Sequence, residues 1–487
     1  MSAPGLRTAP VALALFAGLV LVYNSNGREL QPVDSQPTKL AARALARDGV
    51  LTLDQDIAEK PGLATRPAFQ KDRQGHIRSA YSVVPSIIAA VPAWILAKTG
   101  ILDLSAPLAP SLIAVVTASL LTAFAVVLVF LTVIRLVPRN AALYTAIGLG
   151  LGTNYWALVS RTLWQHETVA FGLALALWAW LRPSQQLTNV RVVLGGAGLA
   201  LACTCRLQVA PIAGILLVWL GMRAGISRAL CAGAIAASAV AALFAAQYHW
   251  FGDVLGGFAA MQRVALRPES HGVAGSISHE PWVGALGLLI SPSRGVILFS
   301  PVILLALVGA RRSLRASRDL RLGWLLAASA IEFVVYGSYS IWWGGFTFGP
   351  RYMLDLLVPL TPAAALGTEA ALARSWSRSL AAVALAWSLV VSATGAFIYP
   401  NDQWNPSPTS VDTHHARLWE WQDPQIVRAW RRGLSPQNFD LFSRAAFRRV
   451  GPSSSQAALL TPKTRSLQAV ACVPTLPMDS DKAREGS

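Results

Sequence analysis

Residues 107–136 read PLAPSLIAVVTASLLTAFAVVLVFLTVIRL, and the first charge in that run is Arg135. A helix of about 20 apolar residues crosses the roughly 30 Å hydrocarbon layer of a bilayer, and this run exceeds that length. Shorter relatives of it stand at 11–23, 141–159, 168–181, 192–204, 209–222, 228–248, 295–309, 320–341, 352–367 and 380–398. The pattern predicts an all-α polytopic membrane protein, a bundle of about 11 transmembrane helices. Composition agrees, since 54% of the 487 residues are hydrophobic and only 13% are charged. Several of the 17 tryptophans stand near the ends of apolar runs, as at Trp156, Trp164, Trp342 and Trp343, where amphipathic rings favour the membrane interface.

A net charge of +17 would suit nucleic acid only if it formed one stripe. The basic residues instead occur as short pairs beside helix ends, which makes them determinants of topology and argues against a nucleic-acid partner. Placing Arg135 and Arg139, Arg182 and Arg191, Arg223 and Arg228, and Arg374 and Arg378 on the cytoplasmic side gives a consistent alternation. It puts the N-terminus inside and the C-terminal tail outside the cytoplasmic membrane. The first run lacks a small-x-small cleavage signal after Tyr23 and reads as an uncleaved helix.

Residues 81–98 are apolar enough to cross, but a crossing there would reverse every later loop. With Pro85 and Pro92 inside it, this segment reads as a helix lying in the outer interface or re-entering from it. Residues 38–48 place Leu40, Ala41, Ala44 and Leu45 on one face and Lys39, Arg43 and Arg47 on another, a surface helix. The first outer loop, 24–106, therefore carries two juxtamembrane helices with Asp34 just before them, while Asp54, Asp56 and Glu59 further along read as solvated. Residues 1–398 form the transmembrane domain, 399–450 an extracytoplasmic aromatic-rich cap, and 451–487 a low-complexity tail read as disordered. The four cysteines, Cys203, Cys205, Cys231 and Cys472, have neither metal-site spacing nor a disulfide pattern and read as apolar thiols.

Polar groups recur on the deduced outer face: Asp34, Arg161, His166 and Glu167, Arg206, Arg263 and Arg267, Arg294 in Ser291–Gly295, and Arg351 after Trp342 and Trp343. Each has a plainer reading. Asp34 could solvate a loop, Glu167 could favour a helix N-terminus, Arg206 could form a structural ion pair, and the tryptophans could belong to an interfacial belt. Taken together they suit a lipid-linked sugar phosphate arriving sideways. Arginines would hold the phosphate, and a carboxylate would take the proton from an acceptor hydroxyl attacking the anomeric carbon. A single displacement of this kind inverts the anomeric centre.

In this layout the chain resembles the GT-C superfamily of polyprenyl-phosphate-sugar-dependent glycosyltransferases, near the protein mannosyltransferase and aminoarabinose transferase branch. The resemblance covers roughly residues 11–398 and rests on the long first outer loop with an early acid, the polar second outer loop, and the paired short helices around Arg206. It implies an inverting transferase on the outer face of the inner membrane, taking a polyprenyl-phosphate-linked sugar to a glycan, lipid or protein acceptor among membrane lipids. Asp34 takes the position of the base, with Glu167 and His166 assisting. Arg206, Arg294, Arg351 and Arg161 then bind phosphate, and Trp342, Trp343 and Tyr352 contact sugar or acceptor. The chain departs from the family in having Val33-Asp34-Ser35 where an acidic pair is usual and His166-Glu167 where a second-loop Asp is common, which leaves a divalent metal open. A transporter or flippase of an anionic lipid, or a non-catalytic assembly factor on the same fold, are the alternative functions.

Overall fold

The computed structural model describes residues 8–182, 186–265, 277–278, 280–315 and 320–449. Helix α1 (Thr8–Asn24) leads into the first loop, where a 3-10 turn at Val33–Ser35 runs directly into α2 (Gln36–Asp48). Gly49, at φ 73°, ends α2 in the left-handed conformation that favours glycine. The loop continues through α3 (Asp54–Glu59) and a hairpin of β1 (Phe69–Lys71) with β2 (Ile77–Ser79), paired antiparallel with Phe69 opposite Ser79. It closes with α4 (Val84–Lys98), whose Ala89, Ala90 and Ala93 pack with Ala42 and Ala46 of α2 while Ile87, Val91, Trp94 and Ile95 stay exposed. At 15 residues, α4 is one of the shorter apolar helices of the chain. Asp56 departs from the expectation of solvation: it is buried and paired with Arg43 of α2, which anchors α3.

The bundle follows as α5 (Ala109–Val133), α6 (Arg139–Leu151), the single turn α7 (Asn154–Ala157), α8 (His166–Trp180), α9 (Asn189–Cys205), α10 (Ala210–Ala224), α11 (Ile226–Phe251) and α12 (Gly257–Ala265). Then come α13 (Pro281–Ile290), α14 (Val296–Phe299), α15 (Leu305–Arg315), α16 (Leu320–Gly337), α17 (Leu354–Leu372) and α18 (Ser375–Phe397). Four stretches, Ala109–Val133, Leu207–Ala224, Ile226–Phe251 and Ser375–Phe397, are long and apolar enough to cross a membrane, and shorter apolar helices accompany them. The chain is an all-α polytopic membrane protein.

Two apolar runs are not single helices. The run at 141–159 breaks after Leu151, where Thr153 accepts a bond from the Tyr155 amide and starts α7. The run at 295–309 is split into α14, a 3-10 turn at Pro301–Leu304 and α15, because Pro301 offers no N–H and its ring clashes with the preceding turn. Helix α13 lies between the expected runs. Where neighbours cross closest, glycine makes the approach possible: a Cβ on Gly309 or Gly367 would strike the backbone of α17 or α15, and Gly172 and Gly198 meet in the same way between α8 and α9. Cys203 and Cys205 are buried free thiols, Cys231 is exposed on α11, and Cys472 with residues 451–487 lies outside the described residues.

Residues 399–441 belong to the same compact unit as the helices, and a second unit begins at Phe442. The cap contains α19 (Gln425–Arg432) and the start of α20 (Asp440–Arg449) around the buried Trp404. Its far end returns to the beginning of the chain: the Phe439 amide donates to the Asn26 carbonyl at 2.7 Å and the Leu441 amide to the Gly27 carbonyl at 2.9 Å. The Asn26 side chain in turn donates to the Ala396 carbonyl at 2.7 Å, and Arg28 donates to the Tyr399 carbonyl at 2.7 Å.

Asp402 is buried in the cap and accepts from the Trp404 amide and the Gln425 side chain, each at 3.3 Å. Burial pushes its carboxyl up to about 6. A carboxyl raised in the folded state holds its proton while the unfolded chain has released it, so cap stability falls as pH rises between about 4 and 6 and is constant above. The change amounts to at most about 3 kcal/mol, and Asp402→Asn should abolish it. Hydrogen exchange of residues 400–441 across that interval checks both statements.

Candidate active site

The segment between α16 and α17 sets the site. Gly349, at φ 63°, lets the backbone pass against the Phe299 ring, and Asn154 fixes the turn by donating to the Phe348 carbonyl at 2.6 Å. Pro350 follows, and Arg351 then sits on a 3-10 turn, one helical turn ahead of Asp355 in the first turn of α17. The first residue of α8, His166, lies between their side chains.

His166 Nδ1 is 2.8 Å from Asp355 Oδ1, and Arg351 Nε donates to His166 Nε2 at 3.3 Å. A carboxylate accepts only, so Nδ1 carries the proton and Nε2 is the acceptor. Arg206, at the break between α9 and α10, approaches the same Nε2 with Nη1 at 3.5 Å. Its Nε lies 3.0 Å from Asp355 Oδ2, and its Nη2 donates to the Tyr336 hydroxyl at 2.9 Å. Tyr336 completes the ring by donating to Asp355 Oδ2 at 2.6 Å. On the open side, Arg351 Nη2 donates to Asp34 Oδ2 at 3.1 Å, and the Arg351 guanidinium lies 4.1 Å from the centre of the Trp164 ring. Exposure is graded along this chain of groups: the Asp34 side chain is 32% exposed and that of Arg351 15%, whereas those of His166 and Asp355 are each 1% exposed.

Four of the residues singled out in the sequence, Asp34, His166, Arg206 and Arg351, thus form one connected cluster. Tyr352 borders it, stacked on Tyr336 at 4.8 Å and 4°. Glu167 is wholly buried behind His166 and takes no part in the hydrogen bonds joining the cluster. Arg294 is placed elsewhere. Its five donors go to the Trp343, Ser293 and Gly345 carbonyls and to the side chains of Gln425 and Asn405, so it fastens the cap to the Trp342-Trp343 turn. Burial pushes its guanidinium down to about 10. Trp343 donates to Asp412 of the cap at 2.8 Å, and Trp342 packs against Trp419, so both rings belong to that joint. Arg161 is also fully buried and donates to the Gly395 and Arg28 carbonyls at 3.3 and 3.5 Å. Arg267 and the side chain of Arg263 lie outside the described residues.

The sequence reading passed over Asp355 and Tyr336. An acid inside the apolar run at 352–367 was the available signal, because an ionisable group there is expensive unless partnered. Among the described residues, no group of three or more His, Cys, Asp and Glu side chains could hold a metal ion. The acid on the open side, Asp34, is engaged by an arginine, so the residues present do not fit a metal site.

Two carboxylates in one network should respond differently to removal. Asp355→Ala leaves Arg206 buried and unpaired and should cost about 3–5 kcal/mol. Asp34→Ala breaks a pair open to solvent and should cost about 1 kcal/mol or less. Thermal unfolding of the detergent-solubilised chain separates the two.

No family profile and no curated protein matches the sequence. Among solved structures, the chain is similar to ArnT from Cupriavidus metallidurans bound to undecaprenyl phosphate, at a TM-score of 0.44 and 13% identity over 86% of this chain and 73% of that one. The apo state of the same protein matches at a TM-score of 0.43 and 13% identity over 82% of this chain and 65% of that one.

Proposed function

We propose that the chain is an inverting glycosyltransferase that moves a sugar from a polyprenyl-phosphate carrier to an acceptor hydroxyl at the outer face of the cytoplasmic membrane. The observation that carries this reading is the pairing of a solvent-reachable carboxylate, Asp34, with an arginine that belongs to a buried, partnered network. Arg351 has one face toward Asp34 and another toward His166, and Arg206 converges on the same imidazole from below. An arriving phosphate competes with Asp34 for Arg351, because a bidentate guanidinium contact to phosphate is stronger than a single-contact, partly exposed ion pair. Asp34 is thereby released as a free base beside the bound donor.

In the transfer step the acceptor oxygen attacks the anomeric carbon and its proton passes to Asp34. The bond from that carbon to the phosphate oxygen breaks, and its electron pair stays on the phosphate, whose added charge the arginines stabilise. His166 touches neither proton nor leaving group. It spaces the two guanidiniums, and Asp355 holds its tautomer.

Asp34→Asn keeps the shape of the side chain and removes the base. Release of polyprenyl phosphate from a labelled lipid-linked sugar in proteoliposomes should fall by about 10²-fold to 10⁴-fold, with the folded yield unchanged. Retention of full activity overturns the reading, and movement of intact labelled lipid without release assigns the chain to a lipid carrier instead. Arg351→Lys should also lower release, by about tenfold or more, because a point charge cannot reproduce the planar fork.

A further inference from the structure

On α18 a stripe of Trp376, Leu380, Val383, Trp387 and Val390 is 41–67% exposed, with alternating steps of four and three residues. In a helix long and apolar enough to cross a membrane, such a stripe faces lipid. One turn beyond Val390, at Thr394, the stripe meets the cap. Trp430 of α19 donates to Thr394 Oγ1 at 2.8 Å, and its ring stands edge-on to Trp387 at 6.0 Å and 83°. The following segment is tied down on the last turn of α18, with the Ser435 amide and the Asn438 side chain both donating to the Phe397 carbonyl at 3.0 Å. Trp430 and Leu434 nevertheless remain 44% and 70% exposed. Their exposed surface continues the lipid-facing stripe of α18 up to the membrane edge.

The arginines of α19 and of the preceding 3-10 turn at His415–Trp419 divide into two sets. Arg417 and Arg428 point into the cap, where both reach Asp423. Arg431 and Arg432, next to Trp430, are exposed and form no ion pair with any described residue. Two unneutralised guanidiniums beside an aromatic and an aliphatic side chain, at the end of a lipid-facing stripe, match the arrangement that holds a helix at the headgroup level of a bilayer.

We propose that α19 is a docking edge for anionic phospholipid: Trp430 and Leu434 enter the outer part of the hydrocarbon layer, and Arg431 and Arg432 bind the lipid phosphates above it. The edge anchors the cap to the leaflet on the side of the candidate active site, and it holds whether or not the transfer reaction is correct. Hydrogen exchange of residues 425–441 is compared for the full chain in nanodiscs of phosphatidylcholine alone and of phosphatidylcholine mixed with phosphatidylglycerol. Exchange should be on the order of tenfold slower in the mixed discs. The double variant R431Q/R432Q should lose that difference while α18 keeps its slow exchange. Equal exchange of the wild-type chain in the two lipids overturns the proposal, as does a double variant with undiminished lipid dependence. A soluble acidic partner would give the first of those results. Should the variant fail to fold, the wild-type comparison alone decides.

Discussion

A carboxylate inside an apolar helix bundle persists only if its oxygens find polar or charged partners, and Asp355 finds three. His166, Tyr336 and Arg206 come from three different helices or helix breaks, and each is itself held in one orientation by the acid it serves. The bond to His166 decides which imidazole nitrogen carries hydrogen, and that decision leaves the other nitrogen free to receive two arginines. Arg351 then projects toward the solvent side, where it meets Asp34. The open half of the site is thus arranged by the closed half.

Arginine serves two different ends on this side of the chain. Arg294 spends all its donors on carbonyls and amides that join cap to bundle, and Arg161 is sealed beneath the first loop. Arg351 keeps a face toward water. The sequence cannot separate these cases by residue type, because the partners of each lie more than a hundred residues away: Arg294 reaches Asn405 and Gln425, and Arg351 reaches Asp34 and His166.

Much of the architecture was legible. Apolar runs marked the helices, and the separate runs at 192–204 and 209–222 left Arg206 at the break between two of them. The cluster of Asp34, His166, Arg206 and Arg351 was legible because polar groups on the loop side of a bundle have few reasons to gather. Asp355 was hidden by its surroundings, since Leu354, Leu356, Leu357 and Val358 make the segment read as lipid-embedded. The interruption at Pro301 was visible as a proline and was outweighed by the apolar residues around it. Trp342 and Trp343 looked like sugar platforms or a belt, and only the cap shows what they pack against.

The ties from Phe439 and Leu441 back to Asn26 and Gly27 bind the first outer loop to residues made more than four hundred positions later. The loop that carries Asp34 is thus fastened by contacts of very long sequence separation. Contacts of such long sequence separation close late, because the intervening chain must first be ordered. Securing the loop that carries Asp34 therefore depends on the cap as well as on the bundle.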